Sequence, residues 1–205
     1  MNKQALIQLL NTLTLDDKIT MIHGASMFQT GAVTEKNVPA FTFDDGPMGP
    51  RKEYQRDDWI PIGGNDDATS YLPSNSALAA TFNRKRALES GTILGREARG
   101  RGKDMILAPG INIHRSPLGG RNFEYMSEDP YLTAEIAVPF VEGIQQNDVS
   151  ACVKHYALNN QETDRTGYNA DVSERALWEI YLPAFRATVK KAHTMGMMGS
   201  YNRFH

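Results

Sequence analysis

A chain of 205 residues is long enough for one domain with a substantial core, and 40% hydrophobic with 22% charged residues is the balance of a soluble globular protein. A formal net charge of −2 without a basic run or arginine stripe excludes a polyanion-binding surface, so no nucleic-acid partner is expected. No stretch approaches the ~20 apolar residues of a membrane span, and no membrane partner is expected either.

The first ten residues carry one lysine and a short apolar-periodic patch. Without a continuous apolar run they read as an amphipathic helix and not as a signal peptide, which implies a cytoplasmic location unless an export signal was removed. Thr14-Leu-Asp-Asp17 has the spacing of a capping box, Leu15, Ile19 and Ile22 recur at helical intervals, and Gly24 closes the segment. Val38 to Phe43 reads as a short strand running into Asp44-Asp-Gly-Pro-Met-Gly-Pro50, whose glycines and prolines forbid a helix. Arg51 to Ser70 reads as a long surface loop. Asn83 caps a helix to Arg99, with Ala87, Leu88, Ile93 and Leu94 as its apolar face and Gly100 as its stop.

Asp104 to Pro109 is a second strand, followed by a loop from Gly110 to Asp129 that is too long and too rich in Arg, aromatic and acidic residues to be filler. A helix is predicted over Tyr131–Gln146, with Leu132, Ile136, Val138 and Phe140 among its apolar positions, and then a strand over Val149–Val153. Cys152 falls inside that strand and reads as a small buried core residue. As the sole cysteine it can form no internal disulfide. Ser173 caps a helix over Glu174–Ala192, with Leu177, Ile180, Tyr181 and Phe185 on its buried stripe and Pro183 distorting it. Met195–Ser200 is a further strand. Strand ends near Pro109, Lys154 and Tyr201, with a helix between each pair, predict an α/β fold with a parallel sheet. A doubly wound sheet and a (β/α)₈ barrel both satisfy the pattern.

Ligands of such folds sit beyond the carboxyl ends of the strands. Asp45, Arg121, Lys154, His155, Arg165 and Tyr201 come from strand ends and loops and could converge there. Such a mixed set of cations, a carboxylate and a phenol suits a neutral polyol, whose hydroxyls donate and accept. A phosphate would want the cations without Asp45. For each residue singly, a surface charge or local salt bridge is the alternative. The five histidines are scattered without H-x-x-x-H or H-E-x-x-H spacing, so no metal site is expected. A Gly-x-Ser-x-Gly elbow is absent, and Gly95-Arg-Glu-Ala-Arg-Gly100 lies in a helix and not after a strand, where a phosphate loop belongs. Glu124, Glu128 and Asp129 read as structural, with Asp129-Pro130 as a turn and helix start.

Four segments, in order, resemble the N-terminal domain of glycoside hydrolase family 3, in its β-glucosidase branch. They are Asp45-Gly-Pro-Met-Gly; Leu107 to Glu124 (Leu-Ala-Pro-Gly-Ile-Asn-Ile-His-Arg-Ser-Pro-Leu-Gly-Gly-Arg-Asn-Phe-Glu) with Ser127-Glu-Asp-Pro130; Lys154-His-Tyr-Ala-Leu-Asn-Asn-Gln-Glu-Thr-Asp-Arg165; and Ser173 to Phe185 leading to Ser200-Tyr-Asn202. The resemblance implies that residues 1–205 are the N-terminal part of a (β/α)₈-type catalytic barrel, incomplete here at five or six strands. It implies a pocket for the non-reducing-end sugar, in which Asp45 holds outer hydroxyls, Lys154, His155, Arg121 and Arg165 line the wall, and Tyr201 lies near the anomeric carbon. It also implies retaining hydrolysis of β-D-glucosides or short β-glucan oligosaccharides, without metal or organic cofactor. The hexosaminidase branch's Lys-His-Phe-x-Gly-His-Gly pattern is not matched by Lys154-His-Tyr-Ala-Leu-Asn-Asn160.

One departure bears on catalysis. The family's nucleophile lies in a Ser-Asp-Trp-type motif after the Ser-Tyr-Asn segment, and its acid/base lies farther on in a second domain; neither is present in residues 1–205. The expected catalytic carboxylates therefore lie beyond His205. The sequence reads as a fragment, inactive alone, whose open barrel would pair with a C-terminal complement or with another copy of itself. A non-catalytic carbohydrate-binding or regulatory remnant is the alternative.

Overall fold

The computed structural model describes residues 2–51 and 68–204, which fall into two compact units, one running to Phe43 and the other comprising Asp44–Arg51 and the chain from Ala68. Most of the loop predicted between Arg51 and Ser70 lies outside the described residues.

In the first unit, helix α1 (Lys3–Thr12) starts where the Asn2 side chain accepts from the Ala5 amide at 2.8 Å. Helix α2 (Leu15–Ile22) carries the predicted capping box. Thr14 Oγ1 accepts from the Asp17 amide at 3.1 Å, and Asp17 Oδ2 accepts from the Thr14 amide at 2.7 Å. Lys36 also donates to that carboxylate, and these bonds together hold the Asp17 carboxyl down at about 2. Strands β1 (Gly24–Ser26) and β2 (Gln29–Thr30) form a small antiparallel pair that the sequence did not announce. The strand expected over Val38–Phe43 is corrected. Val38 and Thr42 make only isolated bridges, to Val33 and Gln29, and regular pairing starts at β3 (Phe43–Asp45). Pro39 has no N–H to give a ladder.

The second unit continues with α3 (Asn75–Ala79), α4 (Arg84–Gly100), β4 (Met105–Leu107), α5 (Pro130–Gln145), β5 (Ser150–Tyr156), β6 (Asn169–Ala170), α6 (Glu174–Ala176), α7 (Pro183–Lys190), β7 (Gly196–Gly199) and β8 (Arg203–Phe204). Its main sheet has the order β3-β4-β5-β7, with β4–β5 and β5–β7 parallel, and β6 and β8 form a separate parallel pair. Parallel strands alternating with helices give the expected α/β fold, an incomplete barrel whose main sheet pairs four strands among the described residues, not the five or six expected. Cys152 is buried in β5, and burial pushes its thiol up to about 11, so it stays protonated and packs as a core residue. Among the described residues no helix is long and apolar enough to cross a membrane.

The helix predicted over Glu174–Ala192 is broken into parts. Between α6 and α7 the turn Leu177–Tyr181 widens to π geometry, and the Leu182 amide donates to the Leu177 carbonyl, five residues back, at 2.9 Å. Pro183 next in line cannot donate, and the wider turn accommodates its ring. This shifts the phase of the buried stripe. Phe185 is buried, Leu177, Ile180 and Tyr181 are only partly so, and Leu182 and Ala184 are buried beside Phe185.

The apolar face of α4 also differs from the expected one. Ala87, Gly91, Leu94, Gly95 and Ala98 are buried, whereas Ile93 is 36% exposed. The small residues decide it. A Cβ on Gly91 would collide with the Phe140 carbonyl of α5, and one on Gly143 of α5 with the Leu88 carbonyl of α4. The two helices therefore cross backbone to backbone, which a larger residue on either side prevents.

This crossing predicts opposite effects for one substitution at two places. Gly143→Ala gains up to about 1 kcal/mol of helix propensity but must displace a main-chain carbonyl, so it should destabilise by about 1–3 kcal/mol. Gly100→Ala meets nothing within 4 Å and should be neutral or mildly stabilising. Urea denaturation monitored by circular dichroism compares them, and equal stabilities would show that the close crossing carries no energetic weight.

Candidate active site

The site is assembled at the carboxyl ends of β3, β5 and β7 and from the loops after β4 and β5. Asp45 ends β3. Its side chain accepts from the Gly46 amide at 2.9 Å, and its carbonyl from the Arg51 amide at 2.8 Å, closing the turn. Gly46 has φ 132° and a Cβ there would strike the Gly49 carbonyl, so this tight turn needs glycine.

Lys154 and His155 lie near the end of β5. The chain after β4 runs alongside them. The Lys154 amide donates to the Pro109 carbonyl at 3.0 Å, and the Lys154 carbonyl accepts from the Ile111 amide at 2.8 Å. Asn112 then clamps the His155 backbone on both sides, accepting from its amide at 2.7 Å and donating to its carbonyl at 2.9 Å. The Lys154–His155 peptide bond is cis.

The long loop after β4 is ordered by a 3₁₀ turn, Asn122–Glu124, held from α3. Asn75 Nδ2 donates to the Glu124 carbonyl at 2.7 Å, and Ser76 Oγ lies 2.9 Å from the carbonyls of Asn122 and Tyr125. At its far end Asp129 caps α5 through the Tyr131 amide at 2.7 Å, the helix-start role read from Asp129-Pro130.

The six predicted residues come together. The Lys154 ammonium, 2% exposed, sits 2.8 Å from Asp45 Oδ1 and 3.5 Å from Glu124 Oε2. Glu124 pairs in turn with Arg121. Arg121 and Arg165 both lie over the Tyr201 ring, with Cζ 5.6 and 3.9 Å from its centroid. The His155 ring is 5.3 Å from that of Tyr201. Glu162 bridges the arginines, 3.1 Å from Arg165 Nη1 and 3.8 Å from Arg121 Nη1. Three carboxylates (Asp45, Glu124, Glu162) thus meet three cations (Lys154, Arg121, Arg165), so the cluster is close to neutral while rich in both donors and acceptors.

Glu124 and Glu162 were not among the candidate site residues, nor were Tyr125 and Asn159. Tyr125 Oη lies 2.9 Å from both His155 Nδ1 and Asn159 Nδ2, and Asn159 Nδ2 is 3.1 Å from Glu162 Oε1. For Glu124 a signal existed, since a carboxylate three residues after Arg121 on a helical turn can pair with it. Asn159 follows Leu158, whose left-handed φ of 68° turns the chain inward, and no sequence pattern marks that conformation at a leucine.

Electrostatics divide the site. Burial opposes charge on Arg121, but Glu124 outweighs it and raises the guanidinium further. Burial and then the cations Arg121, Lys154 and Arg165 drive the His155 imidazole down to about 2, so it is neutral. Burial raises the Tyr125 phenol, which stays protonated. His155 Nε2 is buried and has no hydrogen-bond partner among the described residues. Among the described residues no group of three or more His, Cys, Asp or Glu side chains is arranged to hold a metal ion.

A histidine neutral when folded but free to protonate when unfolded binds a proton on unfolding. Its contribution is therefore full above its ordinary pKa of 6.5 and is lost as pH falls from there toward about 2. The slope approaches about 1.4 kcal/mol per pH unit for one proton. His155→Gln removes this component, so the stability gap between wild type and variant should narrow between pH 7 and pH 5. Parallel urea-derived stability curves would show that His155 is not held neutral.

The chain matches the family described as Glycosyl hydrolase family 3 N terminal domain over residues 63–205. It is 45% identical over 194 residues to the β-glucosidase BoGH3A of Bacteroides ovatus, an alignment that covers 95% of this chain and 26% of that protein. It is 41% identical to an exo-α-(1→6)-L-arabinopyranosidase of Bifidobacterium longum, covering 94% and 26%. The solved structure of β-glucosidase 3B from Thermotoga neapolitana in complex with glucose superposes with a TM-score of 0.88 at 39% identity, covering 97% of this chain and 29% of that one. The chain thus spans about a quarter of the length of these relatives. With a shared fold, 45% identity to one member and a family match that starts at residue 63 and runs to residue 205, this chain belongs to glycoside hydrolase family 3.

Proposed function

We propose that these residues form the sugar-holding part of a retaining β-glucosidase that acts on the non-reducing end of β-D-glucosides or short β-glucan oligosaccharides. The observation that carries this reading is the cluster of Asp45, Lys154, Arg121, Arg165, His155 and Tyr201, built from several strand ends and brought close to neutral by Glu124 and Glu162. A phosphate or carboxylate ligand would meet three carboxylates here; a polyol meets acceptors and donors in balance. In this reading Asp45 accepts from adjacent sugar hydroxyls, while Lys154, Arg121 and Arg165 donate to others. His155 offers its unpartnered Nε2, and Tyr201 stands near the anomeric carbon. The similarity to a β-glucosidase solved with glucose supports it.

Retention needs a nucleophilic carboxylate and an acid/base carboxyl about 5–5.5 Å apart. Asp45, Glu124 and Glu162 are each committed to a cation, which suits holding better than attack. The reading therefore takes the two catalytic carboxyls from outside residues 1–205. It adds as partner a C-terminal complement carrying further βα units, which would pair with the sheet edge at β7.

The 205-residue polypeptide should bind glucose in saturation-transfer NMR without hydrolysing an aryl β-glucoside. Asp45→Ala should weaken glucose binding roughly ten- to a hundredfold, the loss expected when a charged hydrogen-bond partner is removed. Unchanged binding would remove Asp45 from the sugar site. Joined to its complement, the protein should release the β-anomer first, read by proton NMR; release of the α-anomer would overturn the retaining mechanism. Since one relative is an exo-α-(1→6)-L-arabinopyranosidase, an aryl α-L-arabinopyranoside belongs in the same assay, and preference for it would overturn the glucoside assignment.

A further inference from the structure

The direction of one buried hydrogen-bond chain follows from its end. Glu162 is a carboxylate facing Arg165 and Arg121, and a carboxylate only accepts. Asn159 must therefore turn its NH₂ toward Glu162 Oε1, at 3.1 Å. The same Nδ2 lies 2.9 Å from Tyr125 Oη, so Asn159 donates to the phenol oxygen. Tyr125 then has one proton to give, and among the described residues its other hydrogen-bond neighbour is His155 Nδ1, at 2.9 Å. Were Nδ1 protonated instead, the phenol oxygen would receive two donors and its own proton would point at no acceptor, a cost of about 1–3 kcal/mol in a buried site.

We propose that Tyr125 is a positioning residue that locks His155 in the tautomer with a bare Nδ1 and a protonated Nε2, aiming one fixed N–H donor at a ligand oxygen. The orphaned Nε2 is the independent sign. It is buried and has no partner among the described residues; Asn159 Oδ1 is likewise unpartnered, at the side of the chain, whereas Nε2 stands at its end, on the ring that faces Tyr201. The ring cannot rescue the arrangement by becoming doubly protonated, because burial and three nearby cations hold it neutral. A neutral ring with Nε2–H suits a hydroxyl or ether oxygen of a neutral sugar and rejects a second N–H donor. The identity of that ligand rests on the sugar reading above. The tautomer itself rests on Glu162, Asn159 and Tyr125 alone.

Two-bond ¹H–¹⁵N correlation spectra of the ¹⁵N-labelled 205-residue chain read the tautomer directly, with the His155 pattern identified by its loss in His155→Gln. Wild type should show a bare Nδ1 and a protonated Nε2. Tyr125→Phe removes the donor and should give averaged nitrogen shifts from both tautomers. The double variant Asn159→Asp with Glu162→Gln keeps the net charge and turns the chain round. The carboxylate introduced in place of the Asn159 amide accepts from the phenol, the phenol accepts from Nδ1–H, and the tautomer should reverse. The double variant also serves as the test if Tyr125→Phe does not fold. A protonated Nδ1 in wild type, or an unaltered Nε2–H pattern in folded Tyr125→Phe or in the folded double variant, would overturn the proposal. Glucose titrations separate the two readings. Wild-type binding that weakens at least fivefold in the reversed variant supports both. Absence of glucose binding in wild type sinks the sugar reading and leaves the spectra to decide the tautomer.

Discussion

Everything about this site follows from taking the Lys154 ammonium out of water. A buried cation costs several kcal/mol unless carboxylates reach it, and the two that do so come from separate parts of the chain, Asp45 from the end of β3 and Glu124 from the loop after β4. Each then needs its own support. Asp45 depends on a turn that only glycine can make, and Glu124 on Arg121, which brings Glu162 and Arg165 with it. The electrostatic requirement of one side chain at a strand end thereby gathers loops that lie far apart in sequence.

The frame that presents those strand ends is built on contrasting rules. Helices α4 and α5 approach through glycines, so their separation is set by main-chain atoms and leaves little room to adjust. On the other flank, α7 begins at a proline after a π turn, and its phase is set by a single widened hydrogen bond. Helix α5 leads into β5, which carries Lys154 and His155, and α7 leads into β7, which Tyr201 follows.

Much of this was legible in the chain. Apolar runs closed by Pro109, by Lys154-His155 and by Tyr201 marked the strand ends, because a parallel sheet must alternate buried strands with polar termini. Asp45, Arg121, Lys154, His155, Arg165 and Tyr201, singled out by their places at strand ends and loops and by the family-like motifs, do meet in one cluster. The face of α4 was misread because hydrophobicity points to Ile93, whereas packing selects Gly91 and Gly95 for their lack of bulk. The Val38–Phe43 strand was misplaced because its β-favouring residues outweighed the missing donor of Pro39. Tyr125, Asn159 and Glu162 escaped notice because what matters about them is direction, who donates to whom. That is set by partners 30 or more residues away in the case of Tyr125, which faces His155 and Asn159.

The tie between α3 and the 3₁₀ turn has a thermodynamic consequence. Asn75 and Ser76 hold the main chain of residues 122–125 through side-chain hydrogen bonds that the protein itself supplies. Fixing a residue's backbone costs about 1–2 kcal/mol of conformational entropy. For these few residues the cost is met during folding, by a short helix outside the cluster, and is not charged against association. A segment tied down within the fold adds less ordering cost to association, which is how preorganisation of these few residues favours affinity.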